Sequence, residues 1–191
     1  MAALVGAGVL GIVALIASRA VASLPGVLAL LALLAFCVLV GVGLFMLQPN
    51  EAAICTLFGE YRGTDRSEGL RWVNPFYARR RISLRARNLN APTLKVNDRR
   101  GNPVEIGAAV VWRVADTARA VFAVDDFEAY VRVQAEAALR HLASLYNYDE
   151  GEDLGHPEVT LRGSLDAVAE ALKTELQARF GPAGVEVLDA K

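Results

Sequence analysis

The residues able to do chemistry are few. The chain has two histidines, and neither has Cys, Asp or Glu at metal-ligand spacing. His141 falls beside an apolar helical stripe and reads as a helix-flank residue. His156 precedes Pro157 in an acidic loop and reads as solvated. Cys55 has no histidine near it in sequence to act as a base, so it behaves as a small hydrophobe. Cys37 lies inside an apolar run, and a bridge between the two cysteines would cross a membrane boundary; none is expected. Asp149, Glu150, Glu152 and Asp153 form the one dense acidic cluster. It lacks the spacing of a dedicated calcium loop, and a solvated linker is the better reading. Gly6-Ala7-Gly8 and Gly41-Val42-Gly43 sit within apolar runs rather than between a strand and a helix. They suit close helix packing in lipid, not phosphate binding. No catalytic, cofactor-binding or metal site is expected.

The basic residues say more. Residues 51–100 carry eleven Lys/Arg against five Asp/Glu, a net of +6, whereas residues 101–191 have a net of −8. Arg79, Arg80, Arg81, Arg85 and Arg87 form the densest set, close to Trp72, Phe76 and Tyr77. Near an anionic leaflet each arginine is worth about 1 kcal/mol, and aromatic rings flanked by arginines suit the headgroup zone. Trp72, Phe76, Tyr77, Arg79, Arg80 and Arg81 are therefore candidate membrane contacts. For the arginines, contact with another subunit and an ordinary solvated sheet face remain open. For the aromatics, a core cluster at a strand end remains open. Nucleic acid is not expected, because no basic–aromatic groove pattern accompanies the charge.

What must position these residues is an anchor. Residues 1–50 hold a single ionisable side chain, Arg19. Val27 to Leu47 is 21 uncharged residues, 14 of them Leu, Val or Phe. As a helix this run reaches about 31 Å, the thickness of a hydrocarbon core, with an insertion energy of about −4 to −8 kcal/mol. Met1 to Ala17 is also uncharged and reaches about 26 Å. Pro25-Gly26 marks a turn between the two runs, and Arg19 belongs at a water interface. The expectation is a membrane anchor over residues 1–48, with helices at about 1–17 and 27–47 and a turn at 18–26. A signal peptide is the rival for the first run, since Ala20-Val21-Ala22 is similar to a cleavage site, but a basic n-region is missing. The arginines downstream predict a cytoplasmic N-terminus and a cytoplasmic domain on a multi-pass protein of the plasma (inner) membrane.

The remainder, 49–191, reads as α+β. Pro49 is expected to stop the anchor helix. Ala52, Ile54, Thr56 and Phe58 alternate as a half-buried strand ending at Gly59. Strict alternation from Arg81, with Leu94 and Val96 ending the arm, predicts one arm of a long antiparallel hairpin. Asn97 to Pro103 is its turn. Val104, Ile106, Ala108, Val110, Trp112 and Val114 form one face of the returning arm, with Glu105 and Arg113 on the other. Asp125 or Asp126 caps a helix carrying Phe127, Val131, Ala138, Leu142 and Leu145, with Glu128 as a partial capping box. A second helix carries Leu161, Leu165, Val168, Leu172, Leu176 and Phe180 and stops at Gly181-Pro182; Val185 and Val187 then start a strand.

Several of these stretches resemble the SPFH/Band 7 family of stomatins, prohibitins and flotillins, in bacterial form. They are Gln48-Pro49-Asn50-Glu51-Ala52 after an apolar anchor, Phe58-Gly59-Glu60-Tyr61, Gly69 through Phe76, and Asp98 through Val114. Asp125-Asp126-Phe127 leading to Gln134-x-Glu136-x-Ala138-Leu139-Arg140 is likewise similar. The resemblance implies a transmembrane helical hairpin followed by an SPFH domain, a curved antiparallel sheet with amphipathic helices. It also implies a non-catalytic scaffold that forms large homo-oligomers on the bilayer and organises membrane microdomains. An accessory subunit regulating a membrane protease is the alternative, with an NfeD-type membrane protein as a further partner. Family members continue into a long charged coiled coil, which this chain, ending at Lys191, is expected to lack.

Overall fold

The computed structural model describes Gly11 and residues 24–148, 160, 161 and 163–191. The Met1–Ala17 run other than Gly11, Arg19, His156 and the acidic cluster lie outside the described residues. The chain divides into two compact units, residues 1–81 and 82–191.

In the first unit the apolar run forms helix α1, Leu24–Gly43. Its 20 residues span about 30 Å, long and apolar enough to cross a membrane. Both ends differ from expectation. Pro25 and Gly26 begin the helix instead of turning before it, and a proline is tolerated there because first-turn N–H groups have no intrahelical partner. At the other end the helix stops at Gly43, not Leu47. Val38, Val40 and Val42 alternating with Gly41 and Gly43 weaken the last turns. Leu44–Leu47 gains more as a strand, β1, burying Phe45 and Leu47 against Ala53 and Val73. Pro49 accordingly sits in the turn to the next strand, where Glu51 N–H donates to the Gln48 carbonyl at 3.1 Å.

Strands β2 (Glu51–Leu57), β3 (Glu60–Asp65), β4 (Gly69–Trp72) and β5 (Ala78–Ser83) follow. β1 pairs with β4 in an antiparallel ribbon, and β3-β2-β5 form a three-stranded sheet. β2 does not alternate: Ala52, Ala53, Ile54 and Cys55 are all buried, as in a central strand covered on both faces. Phe58, expected on the inner face, is 93% exposed in the β2–β3 turn with φ +50°.

In the second unit β6 (Arg87–Asn97), β7 (Pro103–Val114) and β8 (Val185–Ala190) form an antiparallel sheet with β7 in the centre. The predicted single arm from Arg81 is thus two strands in different sheets, β5 and β6. Pro92 lies where the β6–β7 register shifts, a position an edge strand permits. Glu105 and Arg113 do oppose the apolar face of β7. Asp98 nucleates the β6–β7 turn: its carboxylate accepts from Arg100 N–H at 2.9 Å, Asn102 N–H at 2.7 Å, the Asn102 amide at 3.1 Å and Tyr148 N–H at 3.3 Å.

After β7 comes the short helix α2 (Thr117–Phe122), beside a 3-10 turn at Gly181–Ala183 that leads into β8; helices α3 (Phe127–Leu145) and α4 (Leu165–Phe180) cover the sheet. Asp126 caps α3 through Glu128 N–H and Ala129 N–H. Glu128 is not a capping-box partner, because it occupies the second helical position and its carboxylate engages Arg87. Val131, Ala138 and Leu142 of α3, and Val168, Leu172, Leu176 and Phe180 of α4, are buried as their spacing predicts. Leu145 and Leu165 are exposed, since each lies at a helix end beyond the sheet.

Glu175 on α4 accepts from Arg179 at 2.7 Å and lies 3.2 Å from His141 Nδ1 on α3. Arg179 holds the Glu175 carboxyl below the ordinary range despite the opposing effect of burial. Burial would raise Asp98, but its hydrogen bonds from Asn102, Tyr148 and Arg100 outweigh that and lower it. Both carboxylates are therefore depressed in the folded state. The stability they give is present above the ordinary carboxylate range and lost as pH falls through the lower folded values. The denaturation midpoint is expected to be flat from neutral pH to about pH 5 and to fall below about pH 4. Asp98→Asn should flatten part of that acid limb in a pH series of urea titrations.

Candidate membrane-contact site

The last four carbonyls of a helix have no intrahelical partner and must find side chains, other backbone or water. In α1 two of them are met by the chain that returns to the helix end. Val73 N–H donates to the Gly43 carbonyl at 3.0 Å, and Arg79 Nη2 donates to the Val42 carbonyl at 2.9 Å. The guanidinium also lies 5.4 Å from the Phe45 ring centroid. A positive charge at a helix C-terminus is stabilising through the macrodipole as well as the hydrogen bond. Arg79 is thus a cap, half-buried, and not a free cation on a sheet face.

The β1–β4 register places Leu44 opposite Trp72 and Met46 opposite Leu70. Cross-strand partners point to one face of a ribbon, so these four apolar side chains share a face while Phe45 and Leu47 fill the other. Met46 is 58%, Leu70 62% and Trp72 43% exposed. The Trp72 indole lies flat against Gly43: a Cβ there would stand 2.7 Å from Cε2 and 2.8 Å from Cδ1. Phe76, 67% exposed, is carried by a turn in which Asn74 Oδ1 accepts from Phe76 N–H at 3.0 Å and the Asn74 carbonyl accepts from Tyr77 N–H at 3.0 Å. Tyr77 is half-buried, and Arg80 and Arg81 are exposed.

The six predicted residues therefore divide. Trp72, Phe76 and the helix cap Arg79 gather at the α1 terminus, Arg80 and Arg81 extend from it along β5, and Tyr77 is partly withdrawn. Arg87 belongs elsewhere: it lies against both the Trp112 and Phe127 rings, 5.6 Å from each centroid, and pairs with Glu128. Sequence reasoning missed Leu44, Met46 and Leu70, because a helix to Leu47 absorbed the first two. The alternation of Leu44 and Met46 with Phe45 and Leu47, just after Gly43, was the available signal. Cys55 is buried; burial and then the Asp65 carboxylate raise its thiol pKa against the pull of Arg79, so it stays protonated.

The site can hold the end of α1 through two donors and present an apolar, aromatic rim with cations beside it. It contains no nucleophile–base pair. Residues 45–191 match a family model described as SPFH domain / Band 7 family. No curated protein matches.

Proposed function

From the premise that the chain belongs to the SPFH/Band 7 family, whose members are generally non-catalytic, we propose that it is a membrane-anchored scaffold that self-associates and organises its membrane surroundings. The apolar helix and the SPFH domain are compatible with membrane association. The observation that carries the proposal is the α1 terminus, where two returning donors satisfy helix carbonyls and the exposed face of the β1–β4 ribbon is apolar. Water would leave that face costly, at about 25 cal/mol per Å2 of apolar surface, whereas an interfacial leaflet accepts it. The exposed leucines, valines and phenylalanine along α1 point the same way.

A two-span hairpin is supported at one point: a Cβ at helical Gly11 would lie 3.3 Å from Leu33 Cδ2. Small residues at such approaches are how membrane helices pack. The excess of arginines after α1 supports a cytoplasmic domain. The full chain extracted in mild detergent is expected to run on blue-native gels as a species many times its 20.5 kDa. A monomer would overturn the self-association. A membrane protease co-purifying in stoichiometric amount would favour the accessory-subunit role instead. Protease added to sealed inside-out vesicles is expected to digest the domain; protection would reverse its side.

A further inference from the structure

We propose that Arg80 and Arg81 bind the phosphodiester groups of anionic lipids, giving the anchor a preference for acidic leaflets; this rests on the membrane reading above. Of the six arginines between α1 and residue 81, Arg62 pairs with Glu60 at 2.9 Å, Arg71 lies 3.8 Å from Asp65, and Arg79 caps α1. Arg66 has contacts of its own. Arg80 and Arg81 are exposed and, among the described residues, have no ion-pair partner. Two adjacent cations with no anion among the described residues are a charge left for something else.

Their place says what that is. Arg79 donates to the carbonyl end of α1, and if α1 spans the bilayer that end marks the limit of the hydrocarbon. Arg80 and Arg81 follow by one and two strand positions, about 3.3 and 6.6 Å. Both fall within a Debye length of about 8–10 Å from the boundary. Arg81 projects to the same strand face as Arg79, and Arg80 to the other. Headgroup phosphates at this depth offer the oxygens that guanidinium groups pair with in fork geometry. The exposed rims of Trp72 and Phe76 set the same interfacial level.

The test uses the full chain in mild detergent with equimolar phosphatidylglycerol and phosphatidylcholine, counting bound lipids by native mass spectrometry. Wild type is expected to retain phosphatidylglycerol in excess. Arg80→Gln/Arg81→Gln should lose it, by about fivefold per arginine. Arg80→Lys/Arg81→Lys should keep most of the preference, and Arg62→Gln, which removes an already paired charge, should keep all of it. Unchanged selectivity in the double glutamine variant overturns the inference, as does an equal loss in Arg62→Gln, which would mean net charge alone. Displacement of the lipid by soluble glycerol phosphate at comparable concentration would make the ligand a free phosphate and also overturn it. Alkaline carbonate extraction separates the two levels: wild type in the supernatant sinks the membrane reading, whereas pelleting with unaltered selectivity sinks this inference alone.

Discussion

Replacing Gly184 by alanine is expected to destabilise residues 82–191 by about 2–5 kcal/mol, from left-handed strain of about 1–2 kcal/mol plus overpacking of about 1–3 kcal/mol. Gly184 has φ +67°, and a Cβ there would meet the Asp116 carbonyl oxygen and lie 2.9 Å from Arg119 Cβ. The obstacle is backbone and the first atom of a side chain, so no rotamer change relieves it. Nor can the loop move away, because Ala115 N–H and Asp116 N–H both donate to the Gly184 carbonyl, at 3.0 and 2.9 Å. Asp116 at the same time caps α2 through Ala118 N–H and Arg119 N–H. One methyl group therefore strains the entry to β8 and the start of α2 together. Gly59→Ala is the contrast: its φ is +90°, but a Cβ meets nothing within 4 Å, so only the conformational cost of about 1–2 kcal/mol remains. Thermal unfolding should fall by more than roughly 10 °C for Gly184→Ala and much less for Gly59→Ala. Equal shifts would show that the contact with Asp116 and Arg119 does not matter.

Such a position also shows what a sequence does and does not disclose. The α3 stripe and its Asp126 cap were legible, because a nineteen-residue helix repeats its pattern often enough to be read. The β7 face was legible for the same reason over twelve residues. By contrast α2 has six residues, too few for a period, and was not read from the sequence. The break between β5 and β6 was hidden by an alternation that continues through Leu84 and Ala86, although the chain changes sheet there. The demand at Gly184 comes from Asp116 and Arg119, distant in sequence, so nothing near Gly184 announces it. The arginines illustrate the same limit at the candidate site. Five of them look alike within nine residues, and only their partners distinguish a helix cap, Arg79, and a tie to two aromatic rings, Arg87, from Arg80 and Arg81, which have no ion-pair partner among the described residues.

Gly43→Val is expected to break the grip of the returning chain on α1, at about 2–4 kcal/mol. The indole of Trp72 occupies the space a Cβ would take, and the strand is held there by the Val73 to Gly43 hydrogen bond. Trp72 must then leave, and Leu44, its ribbon partner, loses its neighbour. Gly41 sits two residues away, on the other side of the helix, with nothing within 4 Å of its Cβ, so Gly41→Val should be nearly silent. The helix end depends on charge as well. Arg79→Leu leaves the Val42 carbonyl without its donor, worth about 1–3 kcal/mol, and Arg79→Lys should recover part of that as a simpler cation. In a Trp112→Phe background, Trp72 fluorescence reports the site directly, and limited proteolysis between residues 44 and 73 reports the ribbon. Gly43→Val is expected to shift the emission and open the ribbon, and Trp72→Ala combined with it should cost less than the two changes summed, because the collision is gone. Additive costs, or a Gly43→Val protein whose emission and protection match wild type, would mean that the indole does not hold the helix end.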